Sequence, residues 1–249
     1  MAVHIPAGPS RRIGNVLSSG TGRLLAAAGA TLVAATGLIG LGTPTASAAS
    51  ACSDVEVVFA RGTAEPVGIG RVGQGFVDSL KGDLKGKTVG VYAVDYPASY
   101  DFLKAADGAN DASAHVQATV ASCPATSIVL GGYSQGAAVM DFITAAQSPV
   151  FGFSNLMPQE VADHVAAVAV FGNPSDKIGH PLPALSPVYG AKTIDLCNGA
   201  DPVCSDGDDR AAHSLYVEAG LASQAASFAA DQISGRGDAA AATPLAAGA

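Results

Sequence analysis

Val55 to Ala60 is a short β-branched and aromatic run that ends in Arg61-Gly62-Thr63, and it predicts a buried strand feeding a loop. Val72, Phe76, Leu80 and Leu84 then recur every fourth position, the apolar stripe of a helix that closes near Gly86. Thr88 to Tyr96 reads as a second strand stopped by Pro97, and the Ala-rich, Pro-free stretch Ala105 to Ala121 as a second helix. A third strand, Ser127 to Leu130, runs straight into Gly131-Gly132-Tyr133-Ser134-Gln135-Gly136. Helical spacing follows from Gln135 to Gln147, with Ala138, Phe142 and Ile143 on one face. Val165 to Phe171 is an all-apolar strand, Lys192 to Leu196 a shorter one, and His213 to Ile233 a long helical segment. No internal repeat is visible. Continuously apolar strands alternating with helices predict an α/β fold, a mostly parallel central sheet with helices on both faces in a three-layer sandwich. Such sheets place their chemistry at the carboxyl ends of the strands.

The length of 249 residues suits one such domain plus processing segments. Residues 1–48 have the order of a secretory signal peptide. Arg11, Arg12 and Arg23 precede an uncharged stretch from Leu24 to Gly42, and Ala46-Ser47-Ala48 supplies small residues for cleavage. A retained membrane anchor is the competing reading, but Gly and Ala make the stretch weakly hydrophobic and a cleavage site follows directly. The paired arginines permit the twin-arginine export route on a short match only. The expected domain is 49–234, and the Ala/Gly-rich tail 235–249, with little to bury, is expected to be disordered. These features predict a secreted monomer, extracellular or associated with the cell envelope, with no membrane span after cleavage.

Hydrophobic residues make up 49% and charged residues 14%, which excludes a charge-rich disordered chain. Three of the 13 basic residues lie in the leader, so the remainder sets 10 basic against 21 acidic residues. A balance that negative excludes nucleic acid or anionic headgroups as the main partner, because both require a cationic face. A neutral or cationic small-molecule or lipid partner is expected instead.

Cys52, Cys123, Cys197 and Cys204 form an even set in an exported chain, with three possible connectivities. Spacing favours Cys197 with Cys204 across a short polar loop, which leaves Cys52 to tie the mature N-terminus to Cys123. No C-x-x-C or paired His accompanies them, so neither a metal nor another cofactor is expected.

Gly132-Tyr133-Ser134-Gln135-Gly136 is G-x-S-x-G between a predicted strand and a predicted helix. That context permits a strained turn that lifts a serine hydroxyl above the sheet at a helix N-terminus. Ser134 is therefore the expected nucleophile. It needs a His to take its proton and a carboxylate to hold that His, in the chain order acid then His. His164, inside a predicted helix, reads as solvated. His180 pairs naturally with Asp176 after a strand end, and His213 pairs with Asp201 in the Cys197–Cys204 loop. A clamped loop fixes a carboxylate better, which favours Asp201, whereas Asp206, Asp208 and Asp209 read as loop charges.

Ala60-Arg61-Gly62-Thr63-Ala64-Glu65, the Ser134 motif, Cys197-x-x-x-Asp201-x-x-Cys204 and His213 at the expected start of the last helix occur in one order. In these the chain resembles the cutinase family of secreted serine esterases, its actinobacterial members above all, from Cys52 past His213. The resemblance implies an α/β-hydrolase fold and Ser134, Asp201 and His213 as a triad. It also implies disulfides Cys52–Cys123 and Cys197–Cys204, and an oxyanion hole from the N–H groups of Gln135 and Thr63. Family members often carry Ser where Thr63 stands, and Thr keeps the hydroxyl. Such a hole needs one donor after the nucleophile and one from an early loop, which these two satisfy.

One departure from the fungal pattern is Ser205 to Ala212, polar and acidic where those enzymes are apolar, which predicts an acidic rim overhanging the site. With no Trp for sugar stacking, soluble or micellar carboxylic esters of short to medium acyl chain are the expected substrates. The rivals are an acetylxylan esterase, a polymeric-cutin hydrolase, a phospholipase or thioesterase of the same fold, and an envelope antigen without turnover.

Overall fold

A computed structural model describes residues 52–242, with side chains to 235; the expected signal peptide and the end of the tail lie outside the described residues. Five strands form one sheet: β1 (Val55–Ala60), β2 (Val89–Ala93), β3 (Ser127–Tyr133), β4 (Val165–Phe171) and β5 (Thr193–Leu196). All neighbours run parallel, in the order β2-β1-β3-β4-β5. Four substantial helices cover it: α1 (Gly70–Asp83), α2 (Ala105–Ser122), α3 (Gln135–Ala145) and, after the single-turn helices α4 (Pro174–Lys177) and α5 (Leu182–Leu185), the long α6 (Leu221–Ala242). The expected parallel three-layer sandwich is the one observed.

The side-chain period of two along a strand divides the core into two layers. Val55, Val57 and Phe59 of β1 point to the α1 and α6 side, while Val58 and Ala60 point to the α2 and α3 side. Phe59, Phe76 and Phe171 meet with ring centroids 6.0 to 6.4 Å apart and fix the first layer. Alanines 222, 225, 226 and 229 are buried on α6, and their small side chains let that helix lie close to the sheet.

Chain order reverses between β1 and β3, since β2 is added on one side of β1 and β4 and β5 on the far side of β3. The loops leaving the carboxyl ends of β1 and β3 therefore diverge and open a crevice, the usual ligand position in an open α/β sheet. Thr63 follows β1, and Ser134 follows β3.

Several boundaries differ from the sequence reading, four of them with a clear local cause. β2 stops at Ala93 rather than Tyr96, because beyond Val94, whose N–H still reaches Phe59 O, the Asp95 N–H is taken by the Asp111 carboxylate at 2.8 Å. β3 continues to Tyr133, since its glycines still pair with both neighbours. His213 does not open the last helix. It sits on a 3₁₀ turn, Ala212–Ser214, and α6 starts only after Gly220, whose φ of 78° breaks the helical path. At the other end α6 runs past Gly235 to Ala242, as the high helix propensity of its alanines favours, so the expected tail begins as helix.

Cys52 bonds Cys123, and Cys197 bonds Cys204. The first bridge spans 71 residues and ties the start of β1 to the end of α2. Replacing both Cys52 and Cys123 by Ala should lower the unfolding free energy by about 4 kcal/mol, with ester turnover at 25 °C retained. Urea unfolding of the double variant and the native protein measures this, and an unchanged midpoint would contradict it.

Candidate active site

Ser134 lies at φ 56° and ψ −115° between β3 and α3, a backbone conformation that L-residues seldom adopt. Its flanking glycines allow the turn. A Cβ on Gly132 would come within 2.1 Å of Gly136 O, and one on Gly136 within 1.9 Å of Ala60 O. The Ser134 N–H is held by Phe171 O at 2.8 Å, so β4 anchors the same turn from the other side.

The Ser134 Oγ is 3.0 Å from His213 Nε2, and His213 Nδ1 is 2.7 Å from Asp201 Oδ2. An ionised carboxylate only accepts, so Nδ1 carries the ring proton and Nε2 presents its lone pair to the serine hydroxyl. Asp201 is completely buried, and its Oδ1 accepts the Val203 N–H at 2.8 Å within the Cys197–Cys204 loop. Tyr133 stacks on the imidazole, centroids 5.0 Å apart, and donates its hydroxyl to His213 O.

Thr63 and Gln135 face each other across the crevice, with Thr63 Oγ1 donating to Gln135 Oε1 at 3.2 Å. Gln135 Nε2 donates in turn to Ser99 O at 3.1 Å. The Gln135 N–H belongs to the first turn of α3, where no helical carbonyl reaches it, and it lies at the positive end of the helix dipole.

The sequence reading missed what holds the Thr63 loop. Arg61 is almost fully buried, and its guanidinium donates to the carbonyls of Glu65, Val94 and Tyr96 at 3.0, 3.4 and 2.7 Å while lying over the Tyr96 ring. The Glu65 carboxylate accepts the N–H groups of Gly62 and Arg71 at 2.6 and 3.0 Å. An arginine at the end of an apolar strand was the available signal, since a charge there must find partners on folding.

The site opens into a cleft of about 800 Å³ whose walls include Val72, Phe102, Ala138, Phe142 and Pro174. The expected acidic rim is not part of it. Asp206, Asp208 and Asp209 do not line the cleft, because their loop folds back: the Asp209 N–H bonds Ala200 O and its carboxylate accepts the Ala211 N–H at 2.9 Å. The exposed part of its lining is mixed instead: Tyr100 and Phe102, 78% and 63% exposed, stand with exposed Arg71 and Ser214.

The rival pair stands elsewhere. His180 is exposed and, among the described residues, engaged only through its backbone N–H, by Ser175 O, while the half-buried His164 closes a 3₁₀ turn before β4. Asp176 faces Asp195, and Asp141 and Asp195 share the Asn173 amide at 3.0 and 3.1 Å. Asp176 Oδ1 and Asp195 Oδ1 are buried and find no donor among the described residues unless one carries a proton. A proton on Asp176 donated to Asp195 satisfies both. Burial raises Asp141 to about 7; burial and then the neighbouring Asp195 charge raise Asp176 to about 7; burial raises Asp195 as well.

Between about pH 4 and pH 7 the folded chain thus holds protons that the unfolded chain has released, so stability falls as pH rises through that window. Asp176→Asn, which donates to Asp195 at every pH, should match the native melting temperature at pH 5 and exceed it by about 3 °C at pH 8. Thermal melts at the two pH values check this, and an equal difference at both would contradict it.

A family model described as Cutinase matches residues 51–233. Phospholipase Culp4 of Mycobacterium tuberculosis is 56% identical over 186 residues, covering 75% of this chain and 81% of that protein. Carboxylesterase Culp1 of the same organism is 52% identical over 195 residues, covering 76% and 85%. Among solved structures, Trichoderma reesei cutinase in complex with a C11Y4 phosphonate inhibitor aligns at a TM-score of 0.60 and 35% identity, over 73% of this chain and 77% of that one.

Proposed function

The chain belongs to the cutinase family, and on that premise we propose that it is an exported serine esterase that hydrolyses carboxylic esters through an acyl-enzyme on Ser134. The observation that carries this reading is the hydrogen-bonded chain from Ser134 through His213 to buried Asp201, 3.0 and 2.7 Å long, at the wall of an apolar cleft. His213 Nε2 takes the hydroxyl proton as Oγ attacks the ester carbonyl, and Asp201 stabilises the imidazolium that forms. The N–H groups of Gln135 and Thr63 receive the developing oxyanion. Collapse of the tetrahedral intermediate expels the alcohol, which takes the proton from His213; water, activated by the same imidazole, then releases the acid and frees Ser134.

Two disulfides and a family of secreted enzymes support export, and among the described residues no helix is long and apolar enough to cross a membrane. For substrate, the apolar cleft wall favours acyl chains of short to medium length. Exposed Tyr100, Phe102 and Leu103 beside the cleft favour esters presented in micelles over those of a charged polymer. The phospholipase name of one relative makes a phospholipid the second reading, supported by that same apolar edge.

Ser134→Ala should lower turnover of a p-nitrophenyl ester by at least about a thousandfold while leaving the melting temperature within a few degrees. The native protein should bind an alkylphosphonate one to one and irreversibly, and the variant not at all. Retention of more than about a tenth of the activity would overturn the assignment. A series of p-nitrophenyl esters of rising chain length, run beside phosphatidylcholine micelles, should show a maximum at short to medium chains. Turnover confined to the micelles would move the reading to phospholipase.

A further inference from the structure

We propose that Tyr216 is a positioning residue of the proton relay, holding the Asp201 carboxylate through its buried hydroxyl and thereby setting the basicity of His213. This rests on the reading of Ser134, His213 and Asp201 given above. Tyr216 is completely buried, and its hydroxyl lies 2.6 Å from Asp201 Oδ2, the oxygen that also holds His213 Nδ1. The hydroxyl has one proton, and the carboxylate is the acceptor for it, while the Asn198 N–H donates to the phenol oxygen at 3.2 Å. Cys204 Sγ of the loop disulfide lies 3.4 Å from the same oxygen. Phe171 and Tyr133 pack edge-on against the ring and leave it no other seat. Burial, then the Asp201 bond, push the phenol far above its ordinary range, so it remains a donor wherever an esterase works.

A side chain needed only for packing would not have to carry a hydroxyl into this position, because phenylalanine fills nearly the same volume. The hydroxyl has a chemical consequence. Every donor on a carboxylate spreads its negative charge and makes it less basic. Asp201 accepts from Val203 and Tyr216 besides His213. Without the phenol the carboxylate holds the imidazolium more tightly. The imidazole then stays protonated to higher pH and is unable to accept the serine proton there. The other titratable groups that share the cleft with the ring are Tyr133 from β3, Glu65 from the loop after β1 and Arg71 of α1, which pairs with Glu218. None of them loses a hydrogen bond when Tyr216 becomes Phe, since the phenol oxygen is engaged by Asp201, Asn198 and Cys204.

The test is Tyr216→Phe in the full exported chain, with kcat and KM for p-nitrophenyl butyrate measured across pH. The expected result is a fall of about tenfold in kcat, an unchanged KM, and an acid limb of kcat/KM displaced upward by about half a pH unit. A purely structural role would loosen Asp201 instead and move the limb downward or not at all. Fluorotyrosine placed at position 216 retains the bond with a more acidic donor and should displace the limb downward, so it decides the matter even if Tyr216→Phe folds poorly. Acid limbs unmoved by both changes, or a loss carried by KM alone, overturn the proposal. Should Ser134→Ala remain active, the reading of the site has failed and this inference falls with it. An inactive Ser134→Ala with a native-like Tyr216→Phe profile removes the inference alone.

Discussion

The first turn of α3 touches the backbone of β1, and the rest of the site depends on that approach. Gly136 comes so near Ala60 and Arg61 that no Cβ fits between them, and Gly132 is equally close to Gly136. The contact fixes where α3 begins, and with it the positive φ of Ser134 and the direction of the Gln135 N–H. The strain of one serine backbone, on the order of 1–3 kcal/mol, is held by the strands on both sides, β4 fully buried and β1 buried but for Glu56. A softer surrounding would let the turn relax into an ordinary helix start and withdraw the hydroxyl from the crevice.

Three separate devices keep the remaining groups in place. Arg61 ties the loop carrying Thr63 to Tyr96 in the loop beyond β2, the Cys197–Cys204 bridge closes the loop carrying Asp201, and the 3₁₀ turn at Ala212–Ser214 presents His213. The three come from the loop after β1, the loop after β5 and the turn before α6. Only the sheet brings them together, because the crevice opens where the direction of strand addition reverses. Rigidity of this sort matters to acyl transfer, since misplacement of a proton acceptor by about an ångström costs rate steeply.

A second buried polar cluster lies beside the site. Asp141, Asp176 and Asp195 gather around Asn173, one residue before Pro174, which forms part of the cleft wall. Carboxylates this close and this shielded share protons rather than ionise together. The turn after β4 is therefore held by protonation as well as by packing, and the local structure there favours neutral to acidic solution.

Much of this was legible in the chain itself. Continuous apolar runs such as Val165–Phe171, short and rich in Val, read as strands buried on both faces, which calls for a parallel sheet with helical cover. G-x-S-x-G between strand and helix singled out Ser134 because local sterics demand glycine there. Local patterns are less informative about where charged and aromatic side chains go once the chain closes on itself. The sequence placed His213 at a helix start, whereas Gly220 breaks that helix and leaves the histidine on a short turn. The acidic loop 205–212, placed over the cleft by sequence proximity, is drawn away by hydrogen bonds from Asp209 to Ala200 and Ala211. Arg61, Tyr133 and Tyr216 gave no periodic signal of their roles, since their partners lie dozens of residues away or across a disulfide loop. Periodicity and steric demand, which act between near neighbours, determined the elements and the strained turn at Ser134; the contacts that orient the proposed proton relay were decided by long-range closure of the sheet.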